Sequence, residues 1–223
     1  MKEEIPFRYK MNPIKGERGF FSDLREFEDD PRFIVKEVTA SWENGDTVVF
    51  PILDIKETAK VIKEGVDLIE KYLGEFFPKT DLIIGKNKEG KAVIFIVQQK
   101  VEGKALSSLS GNNEKCKRKA EQLDKLFAQS VLMFLETFDF EKKEGRYPDI
   151  QDTNILLGKC GEDKDDNIYL VDVHPVLQNH PKLFFIFLDS YISGIKKKYD
   201  IELPLFDVAL EKLKELVYKL NSE

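Results

Sequence analysis

The sequence predicts an α+β protein in two lobes: an antiparallel sheet of about five strands carrying one helix, followed by an abbreviated helical half. Short apolar blocks such as Phe33-Ile34-Val35 and Val93-Ile94-Phe95-Ile96 mark strands in the first part of the chain, because strands are built from brief runs rich in β-branched and aromatic residues. From Glu114 onward the apolar positions recur every three or four residues, the period of a helix with one buried face. Between the two regimes Gly103, Ser107, Ser108, Ser110, Gly111, Asn112 and Asn113 interrupt both patterns. The expected divisions are therefore 1–101 for the sheet lobe, 102–113 for a hinge or linker, and 114–223 for the helical lobe.

In order, Phe7–Met11 and Gly19–Glu28 are expected as strands around a turn at Lys15-Gly16-Glu17-Arg18. Gly16 and Gly19 lack a Cβ, so backbone amides there can approach a phosphate; an ordinary hairpin turn uses glycines equally well. Arg32–Val38 is the next strand, with Lys36 on the opposite face from its immediate neighbours. Residues 41–53, with Trp42 and a Gly45-Asp46 turn, read as an extra hairpin or covering segment. Asp54–Leu73 has helical spacing at Ile55, Ala59, Ile62, Val66, Ile69 and Leu73, with Asp54 suited to cap it. Thr80–Ile84 and Ala92–Val97 complete the sheet around a turn at Asn87-Lys88-Glu89-Gly90.

In the second half, Glu114–Phe138 is expected as one long helix, with Ala120, Leu123, Phe127, Val131, Phe134 and Phe138 inward. Its basic start, Lys115 to Lys119, reads as a solvated face. Leu183–Ile195 and Leu203–Leu220 are expected as two more helices. The acidic turn containing Asp163, Asp165 and Asp166 reads as a loop, since an EF-hand's ligand spacing and terminal Glu are absent. His174 and His180 are isolated and read as structural or exposed.

The 223 residues suffice for a proper core, and 42% apolar with 34% charged residues is an ordinary balance for a folded protein. A formal charge of −6 argues against nonspecific nucleic-acid binding, which needs a broad basic surface. Cys116 and Cys160 lie far apart without metal-ligand spacing, so a reducing compartment is expected. No apolar run approaches the ~20 residues of a membrane span and the N-terminus lacks an apolar leader, so the expected location is cytoplasmic, without a membrane partner.

The most informative stretch runs from Tyr147 to Pro175. Asp149 and Asn154 stand five positions apart on a polar turn; a strand, a tight loop and a second strand then lead to Asp172. Three oxygen-bearing side chains converging in this way suit a hard cation with phosphate; with one or two of them on the cation, the third, Asp149, can address an attacking hydroxyl.

These residues resemble the catalytic and metal-binding loops of the protein-kinase-like superfamily, which includes aminoglycoside phosphotransferases and atypical small kinases. Asp149 falls at the catalytic aspartate, Asn154 at the metal-binding Asn, and Asp172 in Leu170-Val171-Asp172-Val173-His174 at the second metal aspartate. The resemblance implies a two-lobed kinase-like fold and the cofactors ATP and Mg²⁺. Lys36 would hold nucleotide phosphates, a helix glutamate would pair with it (Glu64, with Glu57 as the alternative), and Gly16 and Gly19 would cover the phosphates. By register with the family, the Gln99 carbonyl and the Val101 amide would receive adenine. The implied function is transfer of the ATP γ-phosphoryl group to a hydroxyl of a protein or small molecule. Tyr147-Pro148, Gln151 and Val173-His174 depart from the family pattern, and they motivate the competing expectation: a pseudokinase that binds nucleotide or serves as a scaffold.

Overall fold

A computed structural model describes residues 11–19, 22–27, 30–38, 40–43, 46–49, 55–86, 90 and 92–222. It is a mixed α/β structure with small antiparallel sheets and, among the described residues, five α-helices. The chain forms two compact units whose segments interleave along the sequence. The first holds Met1–Asp67, Pro78–Val101 and Cys160–Glu162; the second holds Leu68–Phe77, Glu102–Lys159 and Asp163–Glu223.

In the first unit, β1 (Met11–Gly19), β2 (Ser22–Phe27), β3 (Phe33–Glu37), β6 (Thr80–Lys86) and β7 (Ala92–Gln99) form one antiparallel sheet in the order β1-β2-β3-β7-β6. The short β4 (Ala40–Glu43) and β5 (Asp46–Val49) make the extra hairpin. Ile94, Phe95 and Ile96 of the interior strand β7 are all buried, as is Val35 of β3, which pairs with Val97. Because successive strand residues point to opposite faces, such a run means that both faces of β7 are covered. α1 (Ile55–Leu73) starts in the first unit and passes into the second at Leu68; it is amphipathic, with Ile62, Val66, Ile69 and Leu73 buried at helical spacing.

The position of the first turn differs from expectation. Residues 15–18 lie within β1, whose pairing with β2 shifts register between Pro13 and Arg18 and closes with Gly19 opposite Ser22. The chain thus reverses after Gly19, and Gly16 marks a strand irregularity, a common site for glycine. The expected strand residues 7–10, the cap at Asp54, residue 45 and the turn residues 87–89 lie outside the described residues.

In the second unit, β8 (Val101–Ala105), β10 (Ile155–Cys160) and β11 (Asn167–Leu170) form a small sheet in the order β11-β10-β8, and β9 (Gly145–Pro148) pairs with β12 (Pro175–Gln178). The stretch expected as a linker therefore begins as a strand. Its glycine breaks the local pattern for a tertiary reason: a Cβ on Gly103 would sit 2.4 Å from the Leu157 carbonyl oxygen, and one on Gly158 would sit 2.4 Å from that of Glu102. The two glycines let adjacent backbones come together.

The expected single helix is divided into α2 (Glu114–Arg118) and α3 (Ala120–Glu136). Asn113 caps α2 by accepting from the amides of Lys115 and Cys116, and the break falls at Lys119, with φ −108° and ψ 15°. The Lys119 side chain is then free of the helical rows and donates to Asn167 Oδ1 at 3.0 Å. Leu123, Phe127, Val131 and Phe134 of α3 are fully buried. They pack against α5 (Pro204–Ser222) and toward α4 (Pro181–Tyr199); the Phe127 and Phe206 rings meet edge-on at 6.2 Å, and those of Phe134 and Phe184 lie 4.6 Å apart. No helix among the described residues is long and apolar enough to cross a membrane.

Candidate functional site

Two strand pairs frame the motif. Pro148 lies opposite Pro175 at the end of the β9–β12 ladder, and Ile155 lies opposite Leu170 at the end of the β10–β11 ladder. Segments 149–154 and 171–174 are therefore pinned at both ends against one another. This local topology gathers Asp149, Asn154 and Asp172, all within the second unit.

The loop 149–154 is bonded throughout. Gln151 N–H donates to Asp149 Oδ1 at 3.3 Å, Asn154 N–H donates to the Gln151 carbonyl at 2.8 Å, and the Asn154 amide nitrogen donates to the Asp149 carbonyl at 3.3 Å. From outside, Ser107 N–H donates to the Asp152 carbonyl at 3.0 Å and the Tyr191 hydroxyl donates to that of Ile150 at 3.3 Å. Ile150 itself is buried and anchors the loop to the core.

Burial pushes the Asp149 carboxyl above the usual aspartate range, and the negative charge of Asp172 pushes it further; the Gln151 N–H and the Asn154 side chain offset this in part. The Tyr147 hydroxyl, immediately upstream, is pushed up to about 12 by burial and by Asp149. Asp172 Oδ1 accepts from His174 N–H at 3.1 Å, and His174 Nδ1 lies 3.5 Å from the same oxygen. His174 Nε2 is buried with no hydrogen-bond partner.

Among the described residues, no group of three or more His, Cys, Asp or Glu side chains gathers in a way that could hold a metal ion. Asn154 and Asp172 offer a different donor set, one amide oxygen and one carboxylate. That set fits Mg²⁺, which takes few protein ligands and completes its shell with water and phosphate oxygens.

The remaining expected residues belong to the first unit. Lys36 lies in β3 opposite Ile96, and its Nζ donates to Gln98 Oε1 at 3.1 Å. Glu64 is on the solvent side of α1, 59% exposed, with its carboxylate 3.9 Å from Lys60 Nζ. The buried stripe of α1 at Ile62, Val66 and Ile69 leaves Glu64 on the exposed face of the helix. Glu57 stands in the first turn of α1. Gly16 and Gly19 lie in β1, Gln99 ends β7 and Val101 begins β8.

Three residues around Lys36 and the loop make contacts not expected from the sequence: His174, read there as structural or exposed, Tyr191 and Gln98. His174 carried a signal, since a residue two past an aspartate is positioned to donate its N–H to that carboxylate. Tyr191 and Gln98 carried none, because their partners are distant in sequence.

No family model matches the chain, and no curated protein matches it. Among solved structures it is similar to a MAP kinase from Leishmania major, LmaMPK10, at 13% identity and TM-score 0.40, over 74% of this chain and 46% of that one. It is also similar to two structures of WbdD, one of them described as a bifunctional kinase-methyltransferase. The first has 13% identity and TM-score 0.39, covering 89% of this chain and 45% of that one; the second has 15% identity and TM-score 0.39, covering 87% and 43%. The chain spans less than half the length of these structures.

Proposed function

We propose that the protein is an ATP-dependent phosphotransferase of kinase-like architecture, acting on a hydroxyl of a protein or small molecule. The observation that carries this reading is the pinning of the Asp149 and Asp172 segments between the β9–β12 and β10–β11 pairs, with Asn154 bonded into the same loop. Asp172 and Asn154 would hold Mg²⁺, which when bound neutralises phosphate oxygens. Asp149 accepts or orients the proton of the acceptor hydroxyl. Its raised pKa suits that role, because a carboxylate whose pKa is closer to the working pH is the stronger base. In the same reading Lys36 holds the nucleotide phosphates, Gly16 and Gly19 lie near them, and the Gln99 carbonyl and Val101 amide receive adenine. The work is mainly positioning and charge stabilisation.

The test is calorimetric binding of ATP with and without Mg²⁺, together with phosphate release in the presence of candidate acceptors. Asp172→Asn is expected to abolish the Mg²⁺-dependent part of binding. Asp149→Ala is expected to retain binding and lose turnover. Binding without turnover for any acceptor would favour the pseudokinase reading, which the departures at Tyr147-Pro148 and Val173-His174 support; absence of ATP binding by the unaltered protein would end both.

A further inference from the structure

We infer that Pro78, Thr80 and Gln98 form a directional relay that fixes the Lys36 ammonium, making Gln98 a positioning residue for the anion Lys36 receives; its nucleotide aspect rests on the proposed reading of Lys36. The relay crosses three neighbouring strands of one sheet. Thr80 of β6 lies directly opposite Gln98 of β7, which lies opposite Ile34 of β3. Lys36, two residues beyond Ile34, shares its sheet face and is the diagonal neighbour of Gln98, within reach of long side chains.

Gln98 is fully buried in the centre of the sheet, where an amide must be satisfied at both ends. The sense of each bond follows from the first. The Pro78 carbonyl can only accept, so the Thr80 hydroxyl, 2.7 Å away, spends its hydrogen there. Thr80 Oγ1 can then only accept from Gln98, and Gln98 Nε2 lies 3.1 Å from it. The other end of the amide is therefore its oxygen, which meets Lys36 Nζ at 3.1 Å. A reversed amide would set NH₂ against an ammonium and oxygen against a hydroxyl with no hydrogen left. A backbone carbonyl two strands away thus fixes the sense of the buried amide and directs its oxygen, a neutral acceptor, at Lys36.

Lys36 reactivity in the full chain, without nucleotide, tests the relay. Acetylation by an N-hydroxysuccinimide ester is quantified at Lys36 by mass spectrometry, with exposed Lys86 of β6 as the internal control for folding. Only the free amine reacts, and a hydrogen bond donated by an ammonium holds the charged form. Gln98→Leu and Thr80→Val are therefore expected to speed Lys36 acetylation roughly tenfold while leaving Lys86 unchanged. Thr80→Ser keeps the hydroxyl and is expected to restore the native rate, which a merely structural role would not require. Mg²⁺-ATP affinity should fall with the first two variants and recover with the third. Lys36 rates within about twofold of native in both variants would overturn the relay; so would native Mg²⁺-ATP affinity in both when the unaltered protein binds. If the acetylation pattern holds but the unaltered protein binds no Mg²⁺-ATP, the relay stands and the phosphate role of Lys36 falls.

Discussion

Val171 N–H donates to the carbonyl oxygen of Asn154 at 2.9 Å, extending the β10–β11 ladder one step past the pair Ile155 and Leu170. The bond ties the end of the polar loop to the residue before Asp172. It brings residues far apart in sequence to the open end of one hairpin, where the paired strands set their spacing. Asp149 joins them because β9 pairs with β12 on the other side, leaving both segments little freedom.

The charge coupling has a pH consequence. Asp149 has a raised carboxyl in the folded protein, so its protonated form is favoured on folding. The stability it contributes is complete below the ordinary aspartate range and is lost as pH rises through the raised value. Asp149→Asn should flatten that part of the stability–pH curve, measured by urea unfolding across acidic pH. Asp172→Asn removes one of the two causes, and carboxyl-carbon NMR titration should then find Asp149 lowered while burial keeps it above the ordinary range.

The loop depends on a phenol from α4. Tyr191→Phe removes the bond to the Ile150 carbonyl while keeping the ring that stacks on Phe187 at 5.5 Å. The expected cost is about 1 kcal/mol. Hydrogen exchange should quicken at residues 151–154 and stay constant in α3.

A buried carboxylate organises the helical core. Asp124 of α3, 4% exposed, accepts from the amides of Leu205 and Phe206 at 3.0 and 2.8 Å, capping the first turn of α5 from a different helix. Those amides have no partner within α5. Asp124→Ala should therefore cost about 2–3 kcal/mol in chemical denaturation, because one buried donor, one part-buried donor and a favourable charge at a helix N-terminus are affected together. Asp124→Asn keeps an acceptor and should lose less.

The glycines separate tertiary from local need. Gly103→Ala and Gly158→Ala each drive a methyl into a neighbouring backbone carbonyl, with an expected loss of about 1–3 kcal/mol. At Gly194, inside α4, a Cβ would meet nothing within 4 Å. Gly194→Ala should instead gain up to about 1 kcal/mol through helix propensity. Thermal melting of the three variants would separate these cases.

The spacing of apolar residues determined the kinds of element, because burial follows the geometric period of helix and strand: α1, α4 and α5 and the central strands β3 and β7 are legible in that way. The strand order around Asp149, Asn154 and Asp172 was legible too, since these residues stand on short segments separated by a hairpin. Tertiary structure alone decided which partners they have. Glu64 was plausible for Lys36 by order along the chain, yet the packing of α1 turned it to solvent and the sheet register set Gln98 beside Lys36. The split at Lys119 and the close approach at Gly103 arose likewise from neighbours remote in sequence. Local periodicity records which face a residue takes; what that face meets depends on strand register and helix packing, which act between residues the period never compares.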